Sequence, residues 1–326
     1  MDTNAIRRDV EITYERVKSL AGWTVDKNVV LTIASYYVTS EREFDAESLS
    51  RSMDAIKQKS GWFSPLRGNL LPMMAAFIDQ PGVDIDDEVV RLFEKQRVLR
   101  TFGFRNTIHS YLAALFMTND VGSYDQEARL AKTLFSEMKK HHFFLTSDDD
   151  YTYAVLLGKR GFNPVIQAKS MRMYYDTLRR EKFRSGNELQ WISQVMTYLN
   201  EDYDASLAEK ATEILRRFEK HTKVRPIHYP LIGFLTIFDV SDHDLQRILT
   251  LTRALEESGP LKWKKEMALS IGIGYVIHEL VGNADETIVS LATSVELLVQ
   301  AQEAVMVATI AAVAASSSAN SPNSQG

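Results

Sequence analysis

Apolar residues in this chain recur at spacings of three and four over long stretches, and strand-like alternation is nearly absent. The opening shows the pattern in its simplest form. Ile6, Val10, Tyr14 and Val17 share one face of a helix predicted over Asn4–Ala21, and Gly22 supplies its stop. Beyond it the pattern repeats. Stretches beginning at Leu31, Leu71, Tyr111, Tyr151, Ile192, Pro230 and Ser270 are each apolar almost all round, and each is followed by a polar turn. Their starts lie about forty residues apart, the period of a two-helix repeat.

A second marker has the same period. The helix after each turn opens on a capping residue: Asp45, Asp84, Ser123, Asn163, Asp202, Ser241 and Asn283. Asn163 is followed by Pro164, the favoured pair for an N-cap and first helical residue. These second helices carry a single apolar stripe. Ala131, Leu134, Phe135 and Met138 form one, while Lys132, Glu137, Lys139 and Lys140 face away. A hairpin of this kind cannot bury its apolar face alone, whereas a stack of hairpins can. The expected fold is therefore all-α: helical-hairpin repeats forming an α-solenoid or an α/α toroid, with an irregular all-α globule as the competing arrangement. One repeat domain is expected over 1–315, a leading helix plus about seven hairpins. Its last helix runs over Ala284–Ala315, and the Ser/Asn-rich tail 316–326 is expected to be disordered.

Composition narrows the function classes. No Lys/Arg-rich segment stands out and the net charge is −5, so nucleic acid is not an expected partner. The absence of cysteine excludes disulfides and thiolate chemistry, and fits a reducing compartment. The N-terminus lacks the apolar core of a signal peptide. The longest apolar run, Ala304–Ala315, is shorter than the roughly 18 residues a spanning helix needs. The chain is expected to be soluble and cytoplasmic, with no membrane partner and no cofactor; a peptide or protein partner fits best.

The joints leading into the apolar helices are richer in chemistry than caps require. They contribute Arg67, Arg105, His109, Asp148, Asp149, Asp150, Asn187, Gln190, His228 and Tyr229 as candidate ligand-binding residues. If the repeats stack in register, these line one rim, and mixed acids, amides, arginines and histidines on a rim suit a polar ligand or peptide. Each also has a plain structural role available. Asn187 with Gln190, and Ser147 with Asp150, have capping-box spacing. The three aspartates fit a first helical turn, where carboxylates interact well with the dipole. Gly272 and Gly274 form a GxG with neither a third glycine nor a preceding strand, so close helix packing accounts for them. His141 and His142 precede the aspartates, but adjacent helical residues point about 100° apart, which makes joint ligation of one metal ion awkward. No metal site is expected, and Phe143–Phe144 imply that this segment packs inward. Two of the three aspartates sharing a low-dielectric site would give a carboxylate pair for acid–base chemistry.

The segment HHFFLTSDDDYTYAVLL from His141, the GNELQW segment from Gly186, and the Ala/Ser-rich C-terminal end resemble a bacterial family of unknown function. It is found mainly in low-GC Gram-positive bacteria, and the likeness spans nearly the whole chain. Leu145–Asp150 and Gly186–Gln190 carry it most strongly. The resemblance implies a cytoplasmic bacterial protein and brings no catalytic residue. The sequence thus favours a binding or scaffold protein for a peptide, protein or polar ligand. The alternative is a hydrolase-like enzyme with a carboxylate- or metal-based site on the same rim; whether the chain is an enzyme is left open.

Overall fold

The computed structural model describes residues 2–22, 25–62, 64–68 and 70–282. The expected helix over Ala284–Ala315, its cap Asn283 and the tail 316–326 lie outside these residues. Among the described residues there are fourteen α-helices, three short 3-10 turns and no strand. The helices are α1 Thr3–Ala21, α2 Lys27–Thr39, α3 Ala46–Lys59, α4 Leu71–Ile78, α5 Ile85–Thr101, α6 Ile108–Leu115 and α7 Tyr124–His141. There follow α8 Tyr151–Gly158, α9 Pro164–Arg180, α10 Asn187–Val195, α11 Ala205–Glu219, α12 Tyr229–Ile237, α13 Asp242–Glu256 and α14 Lys265–Gly282.

Helix starts follow the chemistry of their caps. Asp45 accepts from Glu47 N at 2.9 Å, Asp84 from Asp87 N at 3.0 Å, and Asn163 from Val165 N at 3.0 Å. Ser241 forms a reciprocal box with Asp244. Ser123 precedes α7 without a side-chain cap bond. Asp202 does not cap α11; Asp204 does, accepting from Ser206 N at 2.8 Å. The reason is tertiary. The Asp204 amide donates to the Tyr174 hydroxyl at 2.8 Å, which fixes that residue at the helix entrance, while Asp202 is held in a local turn by Asn200.

The two kinds of helix differ in burial as their patterns imply. Every residue of α4, α8 and α12 is buried. In α3 only Leu49, Ser52 and Ile56 are. In α1 the buried residues are Ile6, Val10, Tyr14 and Val17, the stripe read from the sequence. Each odd-numbered helix packs on the even-numbered one after it. Odd helices also touch odd neighbours, such as α3 with α5 and α7 with α9, and even helices touch even neighbours, such as α6 with α8 and α10 with α12. The ends of this series meet: α1 packs on α13 and α14 on α2. Arg7 pairs with Glu257 at 3.2 Å, the Tyr275 hydroxyl donates to Glu41 at 3.2 Å, and Lys264 reaches Asn28.

Glycine permits two of the closest approaches. A Cβ at Gly158 of α8 would lie 2.9 Å from Ala131 N of α7, and one at Gly272 of α14 would lie 2.8 Å from the Thr252 hydroxyl of α13. Gly272 thus has the packing role expected for it. Gly274 has more room, its nearest neighbour being Thr39 Cγ2 at 3.8 Å.

Candidate functional site

The joint between α7 and α8 is built around a capping box. Ser147 N donates to Asp150 Oδ2 at 2.9 Å, as its spacing implied, and Asp148–Asp150 form one 3-10 turn that feeds α8. Successive side chains on such a turn point about 120° apart. The three carboxylates therefore go to three different neighbours. Asp148 turns to the preceding joint and accepts from Arg105 Nε at 2.9 Å and Nη2 at 2.7 Å. Asp149 turns to the following joint, accepting from Asn187 Nδ2 at 2.7 Å and from the Ser147 hydroxyl. Asp150 turns into the core, accepting from Gln190 Nε2 at 3.0 Å and Gln194 Nε2 at 2.7 Å.

Their environments differ accordingly. Asp150 is 1% exposed, and burial pushes its carboxyl up to about 7 although the amide donors and the Ser147 N–H pull the other way. Placing that carboxyl in the core is tolerable because three donors converge on it; an unpartnered buried polar group costs about 1–3 kcal/mol, and more if charged. The Arg105 side chain is 72% exposed, so its pair with Asp148 lies at the water boundary. His109, half-buried on α6, is held below the ordinary histidine range by burial, with Asp149 and Asp148 opposing that effect.

Arg105, His109, Asp148, Asp149, Asp150, Asn187 and Gln190 thus come together, but with roles the sequence did not separate. Asn187 and Gln190 do not form a capping box. Gly186 is the N-cap of α10, and the two amides are drawn away to Asp149, Asp150 and Thr146. Gln194, one turn beyond Gln190 on the same face, belongs to the group as well, and its only mark in the sequence is a pair of amides four residues apart inside an apolar helix. The other three candidates serve other joints. Arg67 folds back to cap α3, donating to Lys57 O at 2.9 Å and Ser60 O at 3.2 Å. His228 is fully buried: Nδ1 accepts from Arg225 N at 3.0 Å, and Nε2–H donates to Glu266 O at 2.9 Å. The Tyr229 hydroxyl accepts from Arg184 N at 3.1 Å, with its ring against Phe183. Arg105 N donates to the Tyr151 hydroxyl at 3.3 Å in the same way, with Phe104 against the Tyr151 ring. The joints from Phe102 through His228 are therefore in contact from one to the next.

His142 rather than the phenylalanines takes the inward position in its joint. Its ring packs edge-on to Tyr175, and burial lowers it to about 4. Phe143 and Phe144 are 66% and 95% exposed, the reverse of the expected inward packing. His142, Gln190, Ser193 and Gln194 border a space of about 10 Å³, about the room for one water. Among the described residues no three His, Asp or Glu side chains gather in a metal-ligating arrangement. Larger clefts lie at other turns. One of about 690 Å³ is lined by Arg42, Asp45, Arg51, Asp79 and Asp84, and one of about 340 Å³ by Gln80, Glu88, Lys95, Thr118 and Asn119 together with apolar side chains. Burial lowers Lys95 to about 8, and its ammonium donates to Met117 O at 2.9 Å and Asn119 Oδ1 at 2.6 Å.

Residues 13–304 match the profile of the family described as "Protein of unknown function (DUF4003)". The chain belongs to this family. It is also similar to the "Uncharacterized protein YeaA" of Bacillus subtilis (strain 168), with 26% identity over 327 residues and 95% of each chain covered. The family expected from His141–Leu157 and Gly186–Trp191, a low-GC Gram-positive one of unknown function, is thereby found. No solved structure matches. Among the described residues no helix is long and apolar enough to cross a membrane.

Proposed function

We propose that this chain is a binding protein for a peptide, protein or polar ligand, with the joint edge as its recognition surface and a closed ring of helical hairpins as its scaffold. The observation that carries this reading is the division of labour at Asp148–Asp150. Asp150 alone meets the needs of the core, while Asp148 and Asp149 order Arg105 and Asn187 at the surface. An ordered array of one guanidinium, two carboxylates and an amide offers paired donors and acceptors to a peptide backbone or a polar small molecule. The ring is supported by the packing of α1 on α13 and of α14 on α2. A ring holds neighbouring joints at fixed spacing, which suits a preorganised surface. The lack of cysteine and the bacterial family fit a cytoplasmic setting. A hydrolytic role would need its raised-pKa acid to face substrate, and Asp150 is enclosed.

The test is capture from host lysate by the purified chain, compared with Arg105→Ala and Asn187→Ala. A specific partner whose recovery falls at least tenfold with either variant, at unchanged melting temperature, supports the reading. Equal recovery by all three proteins sinks it.

A further inference from the structure

Among the described residues four large aromatic side chains stand out in the solvent, and all four are on joints. Trp62 is 81% exposed between α3 and α4, and Trp263 is 87% exposed between α13 and α14; Phe143 and Phe144 lie between α7 and α8. The exposed large side chains on the turns at the opposite helix ends are aliphatic: Val83, Val121 and Leu199. Three of the four rings also have a cation beside them. Arg67 lies 5.7 Å from the Trp62 ring, Lys262 5.9 Å from Trp263, and Lys139 5.5 Å from Phe143.

Charge divides the molecule in the same sense. The seven joints, residues 22–26, 60–70, 102–107, 142–150, 181–186, 220–228 and 257–264, hold nine Lys or Arg against six Asp or Glu. The six turns at the other ends, residues 40–45, 79–84, 116–123, 159–163, 196–204 and 238–241, hold three against ten. All six joint acids already have partners: Asp26 accepts from Asn28 N, Asp148 pairs with Arg105, Asp149 accepts from Asn187, Asp150 from the buried glutamines, Glu181 pairs with Arg216 and Glu257 with Arg7. The last turns of α3, α7 and α9 add Lys57, Lys59, Lys139, Lys140, Arg179 and Arg180 to the joint side. Helix dipoles account for cations at these ends. They do not account for apolar rings held out into water beside them.

We infer that the joint edge docks on the surface of an anionic lipid bilayer, with Trp62, Phe143, Phe144 and Trp263 entering the headgroup region and the lysines and arginines around them meeting lipid phosphates. This inference rests on the reading of the joints as a binding edge, and it gives that edge a membrane surface as partner where the composition alone pointed to none. A protein partner recruits exposed aromatics into one contiguous, desolvated patch. Here they are spread over three separate joints, with only Phe143 and Phe144 paired on one, the arrangement that suits a fluid surface, where each joint's rings find their own depth. Trp and Phe are at home at the membrane–water boundary, and flanking cations add attraction to anionic headgroups that salt screens. The acidic opposite edge then faces away from the bilayer, and no spanning helix is required.

The experiment uses the full chain with phosphatidylcholine vesicles and with vesicles of phosphatidylglycerol and phosphatidylcholine in a 3:1 ratio. Co-sedimentation and tryptophan emission are read at low and at high salt, and a short DNA duplex serves as a polyanion control. The expected result is sedimentation with the phosphatidylglycerol vesicles only, a blue shift in emission, and weakening by salt. Combined W62A/F143A/F144A/W263A is expected to cut vesicle binding at least tenfold while the melting temperature holds, since these rings are exposed in the folded chain. The apolar run Ala304–Ala315 is left intact in that variant. Binding that survives in full therefore overturns the inference, as does no binding to phosphatidylglycerol vesicles, or equal binding to DNA that ignores the aromatic substitutions. Should vesicles fail while Arg105→Ala still abolishes capture of a specific partner, the bilayer falls and the binding reading stands. Should vesicles bind through the aromatics while Arg105→Ala and Asn187→Ala change no capture, it is the polar array that fails.

Discussion

Gln194 Nε2 lies 2.7 Å from Asp150 Oδ1, and the contact is closed off from solvent on both sides. It joins the middle of α10 to the turn that starts α8 and makes Asp150 part of the core. The folded carboxyl sits at about 7 because burial outweighs its donors, against 3.8 for an ordinary aspartate. The sign follows from linkage: between about pH 4 and pH 7 the folded chain keeps a proton that the unfolded chain has lost. The stability this group contributes is full below the lower value and is lost as pH rises through about 7. Asp150→Asn keeps the shape and an acceptor oxygen without the charge. It should be more stable than the parent at pH 8, by on the order of 1–3 kcal/mol, with little difference at pH 4. Urea midpoints at the two pH values check this; a parent that outlasts the variant at pH 8 refutes it.

The buried histidines act in the opposite direction. Burial holds His142 and His228 near 4, against 6.5 for a free imidazole. Their contribution is full above 6.5 and is lost as pH falls through about 4, because the unfolded chain takes up protons first. Together with Asp150 they place the stability maximum near neutrality. In an NMR titration of the folded protein, both imidazoles should still show neutral-form shifts at pH 5. Half-protonation of either at pH 6 would disprove the burial argument for that residue.

Two glycines should respond oppositely to alanine. Gly158→Ala drives a Cβ against the α7 backbone at 2.9–3.1 Å, where no side chain can move aside. A loss of about 2–4 kcal/mol is expected, since overpacking of this kind forces a backbone shift. Gly274→Ala meets only Thr39 Cγ2 at 3.8 Å and gains up to about 1 kcal/mol from helix propensity. Thermal melts of the pair test this directly, and equal shifts would mean that α7 and α8 are not packed so closely.

Arg105 should separate stability from recognition. Its guanidinium is open to water although Asp148 is mostly covered, and pairs with an exposed partner are worth about 0.2–1 kcal/mol. Arg105→Ala should therefore move the melting temperature by no more than a degree or two. Gln194→Ala, which strips a donor from a buried carboxyl, should cost about 1–3 kcal/mol. A double-mutant cycle of Arg105 with Asp148 that returned several kcal/mol would show the pair to be structural.

Helix content, the caps of four of the helices and the alternation of enclosed and one-sided helices were set by the sequence alone. Those properties depend on residues three or four apart, so Ile6, Val10, Tyr14 and Val17 announce their face, and Asp45, Asp84, Asn163 and Ser241 their caps, without reference to the rest of the chain. The joint residues were legible as a group but not in their roles. Asp148, Asp149 and Asp150 are chemically identical, and only the neighbours that α5–α6 and α10 bring to that turn send one outward, one sideways and one into the core. The same holds for Phe143 and Phe144 in the solvent beside a buried His142, and for Asp204 in place of Asp202 at the start of α11. Periodicity is a local property of the chain; burial is decided by segments forty residues or more away, which only the packed helices bring into contact.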